Sequence, residues 1–183
     1  MNIRSLDRAV WPAFALAISA GMLATAHGFE RFLFIAPCPL CYNQRQIYWL
    51  AMAISAIALF ARWRRAPAQV MFTMSVLLGI TFAAGAGIAS YHALVEWGVL
   101  PAPSTCATGG AVNLSSDLWA QLEKRQAVPS CGEAKWRLWG LSMAGWNALV
   151  SMALAVTSLI SAFRPTRTET DNEHGQDERP ESA

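Results

Sequence analysis

VMFTMSVLLGITFAAGAGIASYHALV, from Val70 to Val95, contains no lysine, arginine, aspartate or glutamate. A helix crossing the roughly 30 Å hydrocarbon layer of a bilayer needs about 20 apolar residues. This stretch exceeds that length. It also lacks the polar stripe that a helix on the surface of a soluble domain keeps toward water. It therefore reads as a membrane span. Three more stretches read the same way: about Ala9–Phe29, about Asn43–Arg62, and about Leu138–Phe163. The second is short, and residues from Cys41 onward extend it by a turn. The expected fold is an all-α membrane protein, a four-helix transmembrane bundle occupying residues 1–165. Its outer loops cover about residues 30–42 and 96–137.

Composition agrees. Of 183 residues, 54% are hydrophobic and 14% charged, against roughly 25% charged in ordinary soluble domains. The net charge of +2 is too small to argue for nucleic acid, and the arginines lie at segment ends rather than on one face. The tail from Thr166 to Ala183 is polar and acidic and is expected to be disordered and cytoplasmic. One other reading of the N-terminus is a secretory signal, with Arg4 and Arg8, an apolar run and Ala24-Thr25-Ala26. The run is longer than a usual signal core, and three further spans hold the chain in the membrane either way.

Orientation follows from the excess of basic residues on cytoplasmic loops. Arg4 and Arg8 precede the first span, Arg62, Arg64 and Arg65 fill the tight second connection, and Arg164 and Arg167 follow the last span. Both termini are expected inside. The opposite side also carries basic residues, such as Arg31, Lys124 and Arg137, so the short arginine loop carries most of the bias. Cys38 and Cys41 fall in the first outer segment and Cys106 and Cys131 in the second. Both are odd-numbered connections, so all four sulfurs share one side whichever way the bundle is inserted.

Cys38-Pro39-Leu40-Cys41 is a Cys-x-x-Cys motif suited to a reversible disulfide. It opens the second span, so the helix N-terminus favours thiolate at Cys41, and Arg45 one turn on adds positive charge. The plainer reading of Arg45 is an anchor at the headgroups. The plainer reading of Cys-x-x-Cys is half a zinc site; the wide spacing of the other pair and the lack of a histidine nearby in sequence argue against it. Leu114, Leu118 and Leu122 recur every four residues beside Trp119, which predicts a short interfacial helix in the second outer loop. Taken alone, Cys106 and Cys131 read as a structural disulfide. A second cysteine pair on the same side makes a thiol–disulfide relay the better account.

Several stretches together resemble the disulfide bond formation protein B (DsbB) family of bacterial inner membranes. They are Ala36-Pro37-Cys38-Pro39-Leu40-Cys41 with Gln44-Arg45, Tyr91-His92 with Glu96-Trp97-Gly98, Pro103-Ser104-Thr105-Cys106, Cys131-Gly132-Glu133 with Trp136, and Gly140-Leu141-Ser142-Met143-Ala144-Gly145-Trp146. The resemblance covers nearly the whole chain except the tail. It implies a protein-disulfide:quinone oxidoreductase with redox-active pairs Cys38–Cys41 and Cys106–Cys131. Cys106 would be attacked by a periplasmic DsbA-like thioredoxin-fold partner, with Cys131 as its disulfide partner. Cys38 would exchange with the loop cysteines. Cys41, as thiolate, would contact a ubiquinone or menaquinone, with Arg45 stabilising the charge. His92, Ile88 and Met143 would lie near the quinone. The stretch Thr108-Gly109-Gly110 departs from some family members and bears on partner fit.

No haem-attachment, nucleotide or iron–sulfur motif is present to take the electrons, so a lipid-soluble quinone fills that role. Three rivals remain at this point. One is a vitamin K epoxide reductase-like enzyme, whose cysteine motif usually lies later in the chain. Another is a membrane scaffold with two structural disulfides. The third is a family variant serving one dedicated secreted substrate.

Overall fold

The computed structural model describes residues 10–107 and 130–164. Four long helices make up nearly all of it: α1 Trp11–Phe32, α2 Pro39–Trp63, α3 Ala68–Glu96 and α5 Met143–Ala162. All four are long and apolar enough to cross a membrane. The protein is a multi-pass, four-helix membrane bundle. A short helix α4, Ser104–Ala107, and a two-stranded hairpin, β1 Arg137–Leu138 and β2 Leu141–Ser142, sit in the second outer segment. The expected interfacial helix around Leu118, the N-terminal arginines and the acidic tail lie outside the described residues.

Helix starts follow local chemistry. Pro39 stands in the first turn of α2, where its missing N–H costs nothing, and the Cys38 side chain caps the helix. The second helix therefore begins at Pro39, a turn earlier than its apolar run, because the cap and the proline define the start. The fourth long helix begins at Met143 and not near Leu138. Trp139 and Gly140, with φ of 52° and 82°, make a two-residue turn that pairs Leu138 with Leu141 and Arg137 with Ser142. The chain is folded back there and cannot be helical until Ser142 caps α5 through its hydroxyl, which accepts from Gly145 N–H at 3.2 Å.

α3 is the inner helix, packed on both α2 and α5, while α1 lies against α2. Close approach rests on small residues, as in other membrane bundles. A side chain at Gly85 would come within 2.8 Å of Ile47 Cγ2, and one at Gly79 within 2.8 Å of Leu159 Cδ2. Tyr48, Leu78, Phe82 and Leu154 fill the centre. Trp11 donates from Nε1 to Ser158 Oγ at 2.9 Å, tying α1 to α5. Apolar side chains such as Phe14, Leu50, Ile57, Ile80, Leu149 and Val156 point outward, the arrangement a lipid solvent favours. At one end of the bundle a second cluster gathers Cys38, Leu40, Val95, Cys106 and Cys131, with Cys41 packed against it. All four sulfurs lie at that end.

Candidate functional site

The two cysteine pairs differ in state. Cys106 and Cys131 are bonded, with Cα atoms 5.6 Å apart. Cys106 is held in α4, its N–H donating to Pro103 O at 2.8 Å. Tyr91 anchors the segment before it, donating to Pro101 O at 3.0 Å. Cys38 and Cys41 are free cysteines with sulfurs 2.7 Å apart. The expected redox-active pair thus lies side by side at the start of α2.

Three polar groups converge on Cys38. Its sulfur faces the Cys41 thiol, accepts from Cys41 N–H at 3.2 Å, and lies 3.7 Å from His92 Nε2. The Cys41 thiol, with help from His92, pushes the Cys38 thiol down to about 4, against the opposing effect of burial. The sequence reading places the thiolate at Cys41, whereas here the backbone N–H of Cys41 serves the Cys38 sulfur. Cys38 occupies the capping position, so the free N–H groups of the helix start serve its sulfur rather than that of Cys41.

Arg45 does not lean toward the cysteines. It reaches across to α1, where Nη1 binds Glu30 Oε2 at 2.5 Å and Nη2 donates to Ala26 O at 3.1 Å. Glu30 went unnoticed in the sequence. Its only signal was an acidic residue just past an apolar run, opposite in sign to an arginine at the start of the next helix.

Between α1, the start of α2, the hairpin and α5 lies a cavity of about 260 Å³. Its walls are mostly apolar, with Cys41, Gln44, Arg45 and Asn147 as polar points beside Met143 and Trp136. Met143, Cys41 and Arg45 are therefore brought together as expected from the family resemblance. His92 and Ile88 are not. Both belong to α3, which contributes nothing to the walls of this cavity, because α3 stands behind α2. His92 is buried on the side of Cys38 instead.

A buried polar chain connects the two places. Gln44 Nε2 lies 2.9 Å from His92 Nδ1, Asn147 Nδ2 donates to Gln44 Oε1 at 2.6 Å, and Tyr48 OH donates to Asn147 Oδ1. Gln44, Asn147 and Tyr48 also line the cavity. None was singled out as a binding residue from sequence, since amides and a tyrosine on apolar helices carry no motif.

The sequence model described as "Disulfide bond formation protein DsbB" matches residues 7–161. The chain is 30% identical over 151 residues to the disulfide bond formation protein B of Marinobacter nauticus, covering 80% of this chain and 87% of that one. It is 31% identical over 153 residues to the protein of the same name from Xanthomonas axonopodis pv. citri, covering 81% and 87%. An uncharacterized protein of Rickettsia prowazekii, RP370, is 28% identical over 152 residues, covering 82% and 85%.

Proposed function

The chain belongs to the disulfide bond formation protein DsbB family, and from that premise we propose that it reoxidises a periplasmic, DsbA-like thioredoxin-fold dithiol protein and passes the electrons to a membrane quinone. The observation that carries this reading is the position of Cys41. It belongs to a cysteine pair at the same bundle end as the Cys106–Cys131 disulfide, and it stands on the wall of an apolar cavity.

The cavity suits a quinone head by its chemistry. A flat ring with two carbonyls needs apolar walls and a few polar contacts. Phe29, Met143 and Val150 give the former; Arg45, Gln44 and Asn147 give the latter. A bound quinone supplies an acceptor for two electrons and two protons.

The chain's own residues do the rest. A partner thiolate attacks the Cys106 sulfur, forming a mixed disulfide and releasing Cys131 as thiolate. The partner's second thiol closes its own disulfide and leaves Cys106 and Cys131 reduced. That dithiol reduces an oxidised Cys38–Cys41 pair by the same exchange. While Cys38 is engaged with a loop cysteine, Cys41 is released as thiolate at the cavity wall. Arg45 holds positive charge on the same wall, with Glu30 fixing its direction. His92 faces Cys38 rather than the cavity.

On this reading the protein sits in a bacterial inner membrane, with termini cytoplasmic and cysteines periplasmic. The family match sets aside the vitamin K epoxide reductase-like alternative. The scaffold reading is separated by experiment. Purified protein mixed with a reduced thioredoxin-fold dithiol protein and a soluble quinone should reduce the quinone in step with thiol loss. No quinone reduction above the protein-free rate would defeat the proposal.

A further inference from the structure

Cys38, Cys41 and His92 bring three ligand atoms within 4.8 Å of one another. A fourth group stands beside them. Glu96 Oε1 lies 3.7 Å from His92 Nε2, and the Glu96 side chain is only 6% exposed. Its other oxygen, Oε2, is buried without a hydrogen-bond partner among the described residues. Among the described residues, the ion-pair partner of Glu96 is His92. A buried carboxylate next to an imidazole that itself faces two thiols gathers four ligand-bearing side chains at this end of the bundle.

We propose that the reduced Cys38–Cys41 pair, together with His92 and Glu96, is a binding site for a thiophilic divalent cation, zinc in the first place. It goes beyond the electron path and requires only that this pair be reduced. Two thiolates and an imidazole are three ligands of the kind zinc prefers, and the Glu96 carboxylate, next to His92, swings toward the sulfurs to complete a tetrahedral set. At Zn–S of about 2.3 Å and Zn–N of about 2.0 Å, a sulfur and a ring nitrogen sit about 3.6 Å apart and two sulfurs about 3.8 Å apart. The Cys38–His92 separation of 3.7 Å already matches. The sulfurs, 2.7 Å apart, have to open by about 1 Å, a small rotation for Cys41 at the cavity wall. The Nε2 lone pair is presented when Nδ1 carries the proton. Gln44, 2.9 Å from Nδ1, accepts a hydrogen bond from Nδ1–H once its amide and that of Asn147, now donating to Gln44 Oε1, turn together, which is the usual outer-shell support of a metal-bound histidine.

The step balances without redox change. Two thiols lose their protons to solvent, two Zn–S bonds form, and the cation's charge is met by the thiolates. Oxidation of the pair to a disulfide removes both ligands and releases the cation. The site therefore exists only in the reduced state, and a pair holding zinc cannot give up its electrons. Zinc at this site stalls the enzyme after it has been reduced.

The test uses the full-length protein in detergent, with Cys106→Ser and Cys131→Ser so that one pair remains. The phosphine-reduced protein is titrated with zinc chloride against a chromophoric chelator, and with cobalt chloride as an optical probe. One zinc per chain is expected, with none after oxidation by diamide. X-ray absorption of the zinc form should show two sulfurs and an imidazole, and this readout needs no change at the site itself. His92→Gln and Glu96→Gln should each weaken binding by about 10-fold or more. Absence of imidazole scattering, or equal zinc affinity in wild type and both variants, would leave only a bare dithiol chelate and overturn the proposal. Quinone reduction in metal-free buffer is read separately, so failure of the electron path and failure of the cation site give different results.

Discussion

His92 Nε2 stands 3.7 Å from Cys38 Sγ, although 53 residues and a whole helix hairpin lie between them in sequence. Polar groups from α2 and α3 thus meet on one sulfur. The pair is asymmetric as a result, with Cys38 favoured as thiolate and Cys41 turned to the cavity.

Alkylation of the reduced pair should show that asymmetry. An ordinary cysteine titrates near 8.5, whereas Cys38 is pushed down to about 4 by the Cys41 thiol and His92. Reaction of Cys38 with iodoacetamide should retain its rate down to about pH 5. In Cys41→Ser, where a hydroxyl replaces the thiol, and in His92→Ala, the midpoint should move upward. The depressed value also stabilises the fold above the unfolded cysteine's pKa. That stabilisation should be lost as pH falls toward 4, so thermal midpoints of the reduced form should drop over that window more than those of Cys38→Ala.

Arg45→Ala and Glu30→Gln separate anchoring from chemistry. The ion pair is half-exposed on the glutamate side, so each change should cost only about 1 kcal/mol of stability. Quinone reduction should fall far more in Arg45→Ala than in Glu30→Gln, which keeps the charge on the cavity wall. Arg45→Lys should fall between, since charge is retained and the planar fork is lost. Equal losses in Arg45→Ala and Glu30→Gln would make Arg45 a helix tie alone.

Cys131→Ser should leave Cys106 able to hold a mixed disulfide with a thioredoxin-fold partner. Non-reducing electrophoresis reads it directly. If trapping instead needs Cys131 and proceeds without Cys106, the order of attack is reversed.

Insertion can be read with a membrane-impermeant thiol reagent on reduced, intact cells. Cys106 should label from the periplasmic face, and tags at both termini and near Arg64 should be reached only after lysis. Labelling from the cytoplasmic face would invert the bundle.

Gly85 and Gly87 give a packing comparison. A side chain at Gly85 meets Ile47 at 2.8 Å, while one at Gly87 meets nothing within 4 Å. Gly85→Ala should lower stability by about 1–3 kcal/mol through overpacking, and Gly87→Ala should not. Thermal unfolding in detergent distinguishes them, and a similar loss at both would mean that Gly85 is not a close contact.

Four apolar runs were enough to establish the membrane bundle, since span length and the absence of charge are local properties of the chain. The sharing of one bundle end by Cys38, Cys41, Cys106 and Cys131 was equally legible, because it follows from counting spans. The family motifs located Cys41, Arg45 and Met143 together. What only the tertiary structure decided is which helix faces which. α3 is apolar all round, so no stripe in its sequence says where His92, Ile88 or Glu96 points. Its packing behind α2 sends His92 to Cys38, with Glu96 beside His92, and keeps Ile88 from the cavity. Arg45 found Glu30 for the same reason: the partner is on another helix, and the contact depends on how α1 lies on α2. The start of α5 was misread because an apolar composition does not report the turn at Trp139-Gly140. Local pattern carries element type and order, whereas pairings between helices arise from packing contacts that no single stretch contains.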